Sequence, residues 1–103
     1  MHVCAYNSLQ ENQTVDVEWD SNKARANLQK HGVDFSDAAT VLHDELALTL
    51  LTDFTLEERY ATLGADALGR ILVVIYAYRG DNIRLISARK ATARERAGYR
   101  KRK

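Results

Sequence analysis

The densest apolar run in the chain is Ile71-Leu72-Val73-Val74-Ile75-Tyr76-Ala77-Tyr78. It is rich in β-branched and aromatic residues and does not alternate with polar ones, so it predicts a strand covered on both faces. Gly80-Asp81-Asn82 supplies residues that tolerate positive φ, which predicts a tight turn. Asn82 to Arg89 then returns as a second strand. Strict alternation sets Ile83, Leu85, Ser87 and Arg89 on one face and Arg84, Ile86, Ala88 and Lys90 on the other. Thr92-Ala93-Arg94-Glu95 has the form of a capping box, with the Thr92 hydroxyl on a helix-start N–H and Glu95 reaching back. A helix from about Ala93 follows. It offers only Ala93 and Ala97 as small apolar residues, contains Gly98 and sets Arg96 and Arg100 at i, i+4, so it is expected to fray unless something packs on it.

Upstream, Val15-Asp16-Val17-Glu18-Trp19 alternates as a short strand. Asp20 or Ser21 caps a helix whose core stripe is expected at Ala24, Leu28 and His31, and Gly32 ends it. Ser36 is the expected cap of a second helix bearing Ala38, Ala39, Val41 and Leu42, closed by His43 and Asp44. Leu46 to Thr52 and Arg59 to Leu63 read as strands, joined by a loop over Thr55–Glu58, with a turn at Gly64-Ala65-Asp66. The order β-α-α-β-β-β-β-α predicts an α+β fold: an antiparallel meander covered by two N-terminal helices, the first strand at an edge and a basic helix at the end. Residues 1–14 are polar and aperiodic and read as a loose N-terminal extension to a single domain over 15–103.

Charge changes this picture. From Arg79 to Lys103 there are ten Lys or Arg and two acids, a net of +8, whereas the whole chain is +1 with 15 basic and 14 acidic residues. The first 78 residues therefore hold five basic and twelve acidic residues, a net of −7. A basic end on a small domain is an electrostatic footprint for a polyanion, most often nucleic acid, and equally for an acidic protein partner. A solvated tail without a specific role is the plain alternative. Composition, at 46% hydrophobic and 28% charged over 103 residues, suits one folded domain. No apolar run reaches the ~20 residues of a membrane-spanning helix. The N-terminus lacks the pattern of a signal peptide, so a cytoplasmic location is the default. One cysteine and three scattered histidines give no metal-ligand spacing, so no metal and no cofactor is expected.

Three blocks, WDSNKARANLQKHGVDFSDA, EERYATLGADALGRILVVIY and IRLISARKATARERAGY, taken in order, resemble the BrnT family of bacterial type II toxins. The resemblance spans roughly Glu18 to Tyr99 and is carried by residues such as Trp19, Asp20, Asn27, Gly32, Phe35, Arg59, Gly64, Arg84, Ser87, Arg89, Lys90, Glu95 and Tyr99. The first fourteen residues depart from the family's pattern. The resemblance implies a RelE-like fold, ribonuclease activity that arrests translation, a BrnA-type antitoxin and a toxin–antitoxin complex that represses its own operator DNA.

RNA cleavage without a metal needs a base for the ribose 2′-OH, an acid for the leaving oxygen and cations for the charged transition state. Arginine suits the last role because its planar fork holds two phosphate oxygens. Arg79, Arg89 and Lys90 fall at strand ends, and the reading sets Arg79 and Arg89 as a clamp on the scissile phosphate with Lys90 adding charge. Each is otherwise a positioning contact or a salt bridge to the antitoxin. Glu58 is a candidate base, although a Glu–Arg neighbour pair is commonly structural. Tyr99 is a candidate proton donor or stacking ring, or simply packs on the sheet. His31 and His43 have a suitable reference pKa of ~6.5 but suit a helix end or core stripe. Arg84, Arg94, Arg96, Arg100 and Lys101 are candidate RNA contacts. A different class of function, a non-enzymatic nucleic-acid-binding co-repressor acting with a partner, fits the same charges.

Overall fold

The computed structural model describes residues 3–10, 13–53 and 58–101. Strands β1 (Val3–Gln10) and β2 (Gln13–Asp20) lead into helices α1 (Ser21–His31) and α2 (Phe35–Ala39), and a 3₁₀ turn at Thr40–His43 follows. Then come β3 (Leu48–Asp53), β4 (Arg59–Ala65), β5 (Ile71–Arg79), β6 (Asn82–Lys90) and α3 (Ala93–Arg100). The six strands form one sheet in the order β1-β2-β6-β5-β4-β3. β3 to β6 are the antiparallel meander expected of short connections. β2 joins β6 in parallel, through Val17 opposite Ile83 and Glu18 opposite Arg84.

The N-terminal part differs from the sequence reading. Residues 3–10 form β1, antiparallel to β2 from Val3–Asp20 to Gln10–Gln13, where a loose extension was expected. Its pairing is main chain to main chain and leaves no apolar periodicity to read. The strand expected at the edge, β2, lies inside β1. Of the loop expected over Thr55–Glu58, all but Glu58 lies outside the described residues, as do Arg102 and Lys103.

One face of the sheet carries the core. Val17 and Trp19 of β2, Leu72, Val74 and Tyr76 of β5, and Ile83, Leu85 and Ala88 of β6 pack with Val33, Phe35, Ala38, Ala39 and Val41 from the helical layer. Trp19 meets Phe35 edge to face, with centroids 6.1 Å apart, a favoured aromatic geometry. Val73 and Ala77, on the opposite face of β5, are also buried. Their cross-strand neighbours are Leu63 and Arg89 for Val73, and Arg59 and Arg84 for Ala77, so long side chains on the flanking strands cover them.

Alternation along β6 fails at one point. Ile75 pairs with Ser87 but Tyr76 pairs with Leu85, so Ile86 is the extra residue of a β-bulge. Beyond it the faces exchange: Ala88 joins Ile83 and Leu85 in the core, while Arg89, paired with Val73, shares the other face with Arg84.

The helical layer also differs in detail. Asp20 caps α1 by accepting from the Asn22 N–H at 2.9 Å, and Gly32 ends it at φ 71° with its N–H on the Leu28 carbonyl. The expected stripe is displaced: Leu28 is 47% exposed, and the residue buried on α1 is Asn27 at 6%. The Asn27 amide donates to the carbonyls of Val33 (3.0 Å) and Ala88 (2.9 Å) and accepts from the Ala88 N–H (3.0 Å). α2 is capped by Asp34 rather than Ser36, because Asp34 accepts from both the N–H and the hydroxyl of Ser36 at 3.0 Å. Gly64, expected in a turn, lies inside β4. A Cβ there would stand 3.0 Å from the Ala47 Cβ and 3.1 Å from Asp44 Oδ2 and Val41 Cγ1, so the 3₁₀ segment and its following turn approach the strand too closely for a side chain. The turn itself is Asp66 to Gly69. Buried Asp66 accepts there from the N–H groups of Leu68 and Arg70.

Asn27→Ala removes all three side-chain bonds and leaves buried main-chain groups of Val33 and Ala88 without them. Unmade buried bonds cost about 1–3 kcal/mol each. The variant is expected to lose about 3 kcal/mol in urea unfolding; a loss under about 1 kcal/mol would show that the bridge does not hold the layers together.

Candidate nucleic-acid interface

The C-terminal helix is built as its sequence suggests and is anchored at both ends. Glu95 Nα–H donates to the Thr92 hydroxyl at 3.1 Å and the Thr92 N–H donates to Glu95 Oε1 at 2.8 Å, which completes the capping box. The same carboxylate takes the fork of Arg89, with Nη1 on Oε1 at 2.8 Å and Nη2 on Oε2 at 3.0 Å. Arg89 first, and then the Thr92 N–H, hold Glu95 at about 2, well below the usual carboxylate range. Arg89 is raised by the same contact. Glu95 is thus more than a cap: it fixes the direction of the Arg89 guanidinium.

At the other end Tyr99 is buried at 1% exposure and donates to Asp44 Oδ2 at 2.6 Å. Asp44 also accepts from the N–H groups of Ala65 and Leu46. The bond to this carboxylate, followed by burial, pushes the Tyr99 phenol up to about 12. Of the alternatives open to Tyr99, packing is the one seen. The helix buries little apolar surface, Ala93 and Ala97 being exposed, and is held by these polar anchors.

Between α3 and the start of β5 lies an open cleft lined by Gly69, Arg70, Ile71, Lys90, Arg96 and Arg100. Four of these six residues are cations and none is acidic. Arg96 Nη1 donates to the Ala91 carbonyl at 2.8 Å. Arg70 is oriented by Asp66 at 2.9 Å and Asp37 at 3.2 Å, and Ala91 is tied to Ile71 through N–H···O at 2.9 Å. The cleft therefore joins three predicted residues, Lys90, Arg96 and Arg100, to one that sequence reasoning missed. Arg70 lies outside the basic tail; the available signal was its spacing from Asp66, i to i+4 across a Gly turn.

Arg79 does not belong to this group. It pairs with Asn82 at one end of the hairpin, whereas Arg89 pairs with Val73 near the other. Six residues of β5 separate those positions, about 20 Å at ~3.4 Å per residue, so Arg79 and Arg89 cannot grip one phosphate together. Arg79 and Arg84 instead line a second cleft with Glu18 and Lys23. Glu58 is exposed and accepts from the Tyr60 hydroxyl at 3.0 Å, which raises the Tyr60 phenol. Tyr60 stacks on Tyr76 at 5.7 Å, and Tyr78 meets both rings edge-on. Burial raises the half-exposed Tyr78. Since Tyr60 pairs with Tyr76, and Arg59 with Ala77, Glu58 stands at the Arg79 end of the sheet, away from Lys90. Arg94 and Lys101 are exposed on and just past α3. His31 is half-buried at the end of α1, and His43 lines a separate open cleft with Asp44 and Asp66. Among the described residues no group of three or more His, Cys, Asp or Glu is arranged to hold a metal ion, and no helix is long and apolar enough to cross a membrane.

Two measurements follow from the anchors. Glu95 is depressed in the folded protein, so its contribution is present above the unfolded carboxylate value of ~4.3 and is lost as pH falls towards about 2. Glu95→Ala should cost about 1–2 kcal/mol at pH 7 through the lost cap and ion pair. In thermal unfolding across pH, its gap from wild type should shrink steadily below pH ~5; a gap independent of pH would contradict the ion pair. Tyr99 is raised, so its contribution is complete below ~10 and disappears as pH rises through about 12. Tyr99→Phe should lose about 1 kcal/mol at neutral pH and delete the latest-titrating tyrosine in an absorbance titration. An unchanged titration would place the raised phenol elsewhere.

Residues 19–95 match the family model described as the ribonuclease toxin, BrnT, of type II toxin–antitoxin systems. Among solved structures, the chain is similar to the ribonuclease toxin BrnT of Brucella abortus, at 27% identity and a TM-score of 0.55, over 72% of this chain and 92% of that one. No curated protein sequence matches. The matched segment runs from the core Trp19 to the capping Glu95 and holds the helical layer, the meander and the Lys90 side of the cleft. On that match the chain belongs to the BrnT family, the ribonuclease toxins of type II toxin–antitoxin systems.

Proposed function

We propose that the chain cleaves RNA internally without a metal ion, arrests translation in the cytoplasm, and is neutralised by an antitoxin of the BrnA type. The observation that carries this reading is the cleft in which Arg70, Lys90, Arg96 and Arg100 converge without a carboxylate among its lining residues. A phosphodiester is the ligand such a set favours, because Lys90, Arg96 and Arg100 each add attraction, while Arg70, already held by Asp66 and Asp37, adds less. Lys90 and Arg96 would stabilise the charge that develops on the phosphate oxygens. Arg89, at the neighbouring position of β6 and aimed by Glu95, would position the strand entering the cleft. Arg94 and Lys101, exposed on the same helical segment, would add contacts to the RNA backbone.

An acidic antitoxin surface laid over α3 would compete for the same cations, which is a simple route to neutralisation. The complex would then present the antitoxin to operator DNA. The finer likeness to RelE-type toxins rests on the same layout, a meander with α1 and α2 against β6 and a basic helix at its end.

The test is to induce wild type, Arg89→Ala, and the combined Lys90→Ala, Arg96→Ala and Arg100→Ala variant in bacteria without the antitoxin. Growth and RNA integrity are followed, and purified protein is assayed on RNA with EDTA present. Wild type should fragment RNA with or without EDTA. The triple variant should lose about a hundredfold or more in rate, and its log-affinity slope against log salt should flatten by about 0.7 for each phosphate contact removed from single-stranded RNA. Intact RNA and unaffected growth with soluble wild-type protein would overturn the nuclease reading and favour the co-repressor.

A further inference from the structure

The parallel ladder between β2 and β6 is only two pairs long, Val17–Ile83 and Glu18–Arg84. The ladder ends there, and the bulge residue Ile86 is inserted two positions further along β6. A cleft lies beside it, lined by Glu18, Trp19 and Asp20 of β2, Lys23 of α1, Arg79 of β5 and Arg84, Leu85 and Ile86 of β6. The ribonuclease reading assigns it no role, and it is chemically unlike the phosphate cleft beside α3. Its walls are partly apolar: Trp19 is fixed edge-on to Phe35 in the core and only 8% exposed, and Ile86 is half-buried. Its rim mixes three cations, Lys23, Arg79 and Arg84, with the carboxylates of Glu18 and Asp20, of which Asp20 is already engaged as the cap of α1 by the Asn22 N–H.

We infer that this cleft is a nucleobase pocket that selects guanine in the RNA, an inference that rests on the ribonuclease reading above. A cleft with apolar walls from Trp19, Leu85 and Ile86 accepts a base, and the charges around it decide which one. Guanine offers two acceptors, O6 and N7, to Lys or Arg, and on its adjacent Watson–Crick edge it offers N1–H and N2–H donors to one carboxylate. Adenine and cytosine have no ring N–H beside their amino group, and uracil sets its single N–H between two carbonyls, so neither arrangement suits a carboxylate facing cations. Glu18 and Arg84 are paired neighbours on one face of the sheet, the face that also carries Arg89. Arg84 and Lys90 are about 17–20 Å apart along β6 by strand rise and lie on opposite faces of the sheet, since Lys90 pairs with core Leu72 and Arg84 with Ala77, so a single strand that reaches both clefts passes around the end of β6.

The experiment measures binding of short 2′-O-methyl oligonucleotides, which lack the attacking hydroxyl, by fluorescence anisotropy. One set carries guanine, adenine, cytosine, uracil or an abasic residue at a single central position. Wild type should bind the guanine strand about tenfold or more tighter than the abasic strand, and hypoxanthine, which lacks the 2-amino group, should lose most of that gain. Glu18→Ala and Ile86→Trp, the second filling the slot, should each erase the preference while leaving abasic affinity and its salt dependence unchanged. Thermal unfolding of both variants checks that they fold, and either variant alone decides. Equal binding of guanine and abasic strands, or preference for another base, overturns the pocket with RNA binding intact. Failure of every strand to bind overturns the ribonuclease reading itself.

Discussion

The Asn27 side chain is the constraint on which the arrangement depends. It ties α1 to the Val33 carbonyl at the start of the second helical segment and to both main-chain groups of Ala88 on β6. A parallel strand next to β6 would normally satisfy Ala88, but β2 parts from β6 after Glu18–Arg84. One amide, with a donor and an acceptor in the right sense, does what the missing strand would have done. Leucine at this position would pack against the sheet yet leave an N–H and two carbonyls without it. The polar residue is buried here because main chain needs it.

The next consequence is directional. Ala88 lies just past the bulge at Ile86, so the bridge fixes the sheet at the point where its faces have exchanged. Arg89 therefore leaves the core side and meets Glu95. Lys90, one residue on, joins Arg96, Arg100 and Arg70 around the cleft. Without the extra residue, alternation would send Arg89 towards the helical layer, where an unpaired guanidinium would be costly. A basic tail becomes a defined site because a bulge and two anchors, Glu95 and Tyr99, decide where its charges point.

This separates what the chain made legible from what it did not. Local chemistry could be read directly: the capping box at Thr92 and Glu95, the left-handed Gly32, the strand over Ile71–Tyr78 and the turn after it all follow from neighbours in sequence. So could the charge asymmetry, which needs no fold. The errors arise where one residue is specified by another far away. Ala24, Leu28 and His31 have the better helical spacing, but the buried position is Asn27 because its partner is Ala88, 61 residues on. Gly64 resembles a turn glycine and is in fact a strand residue crowded by Ala47 and Asp44. Arg79 and Arg89 both end strands, yet antiparallel pairing sends them to opposite ends of the hairpin, and Arg70 enters the site from the far side of a turn. Period-two reasoning also has no means of anticipating the bulge, since inserting Ile86 leaves composition and spacing unchanged.

The bulge, the short parallel ladder and the second cleft are one geometric event. A strand that joins in parallel at the end of an antiparallel meander must diverge where the helix it feeds begins, and α1 begins at Ser21, directly after β2. The parallel pairing ends at Glu18–Arg84, and the bulge at Ile86 bends β6 two residues further on. Asn27 closes the gap on the helix side at Ala88, while the side near Arg84 stays open and takes on charged walls. The same break in pairing thus leaves a continuous core on one face of the sheet and Arg79, Arg84 and Arg89 on the other, beside a cleft of mixed charge.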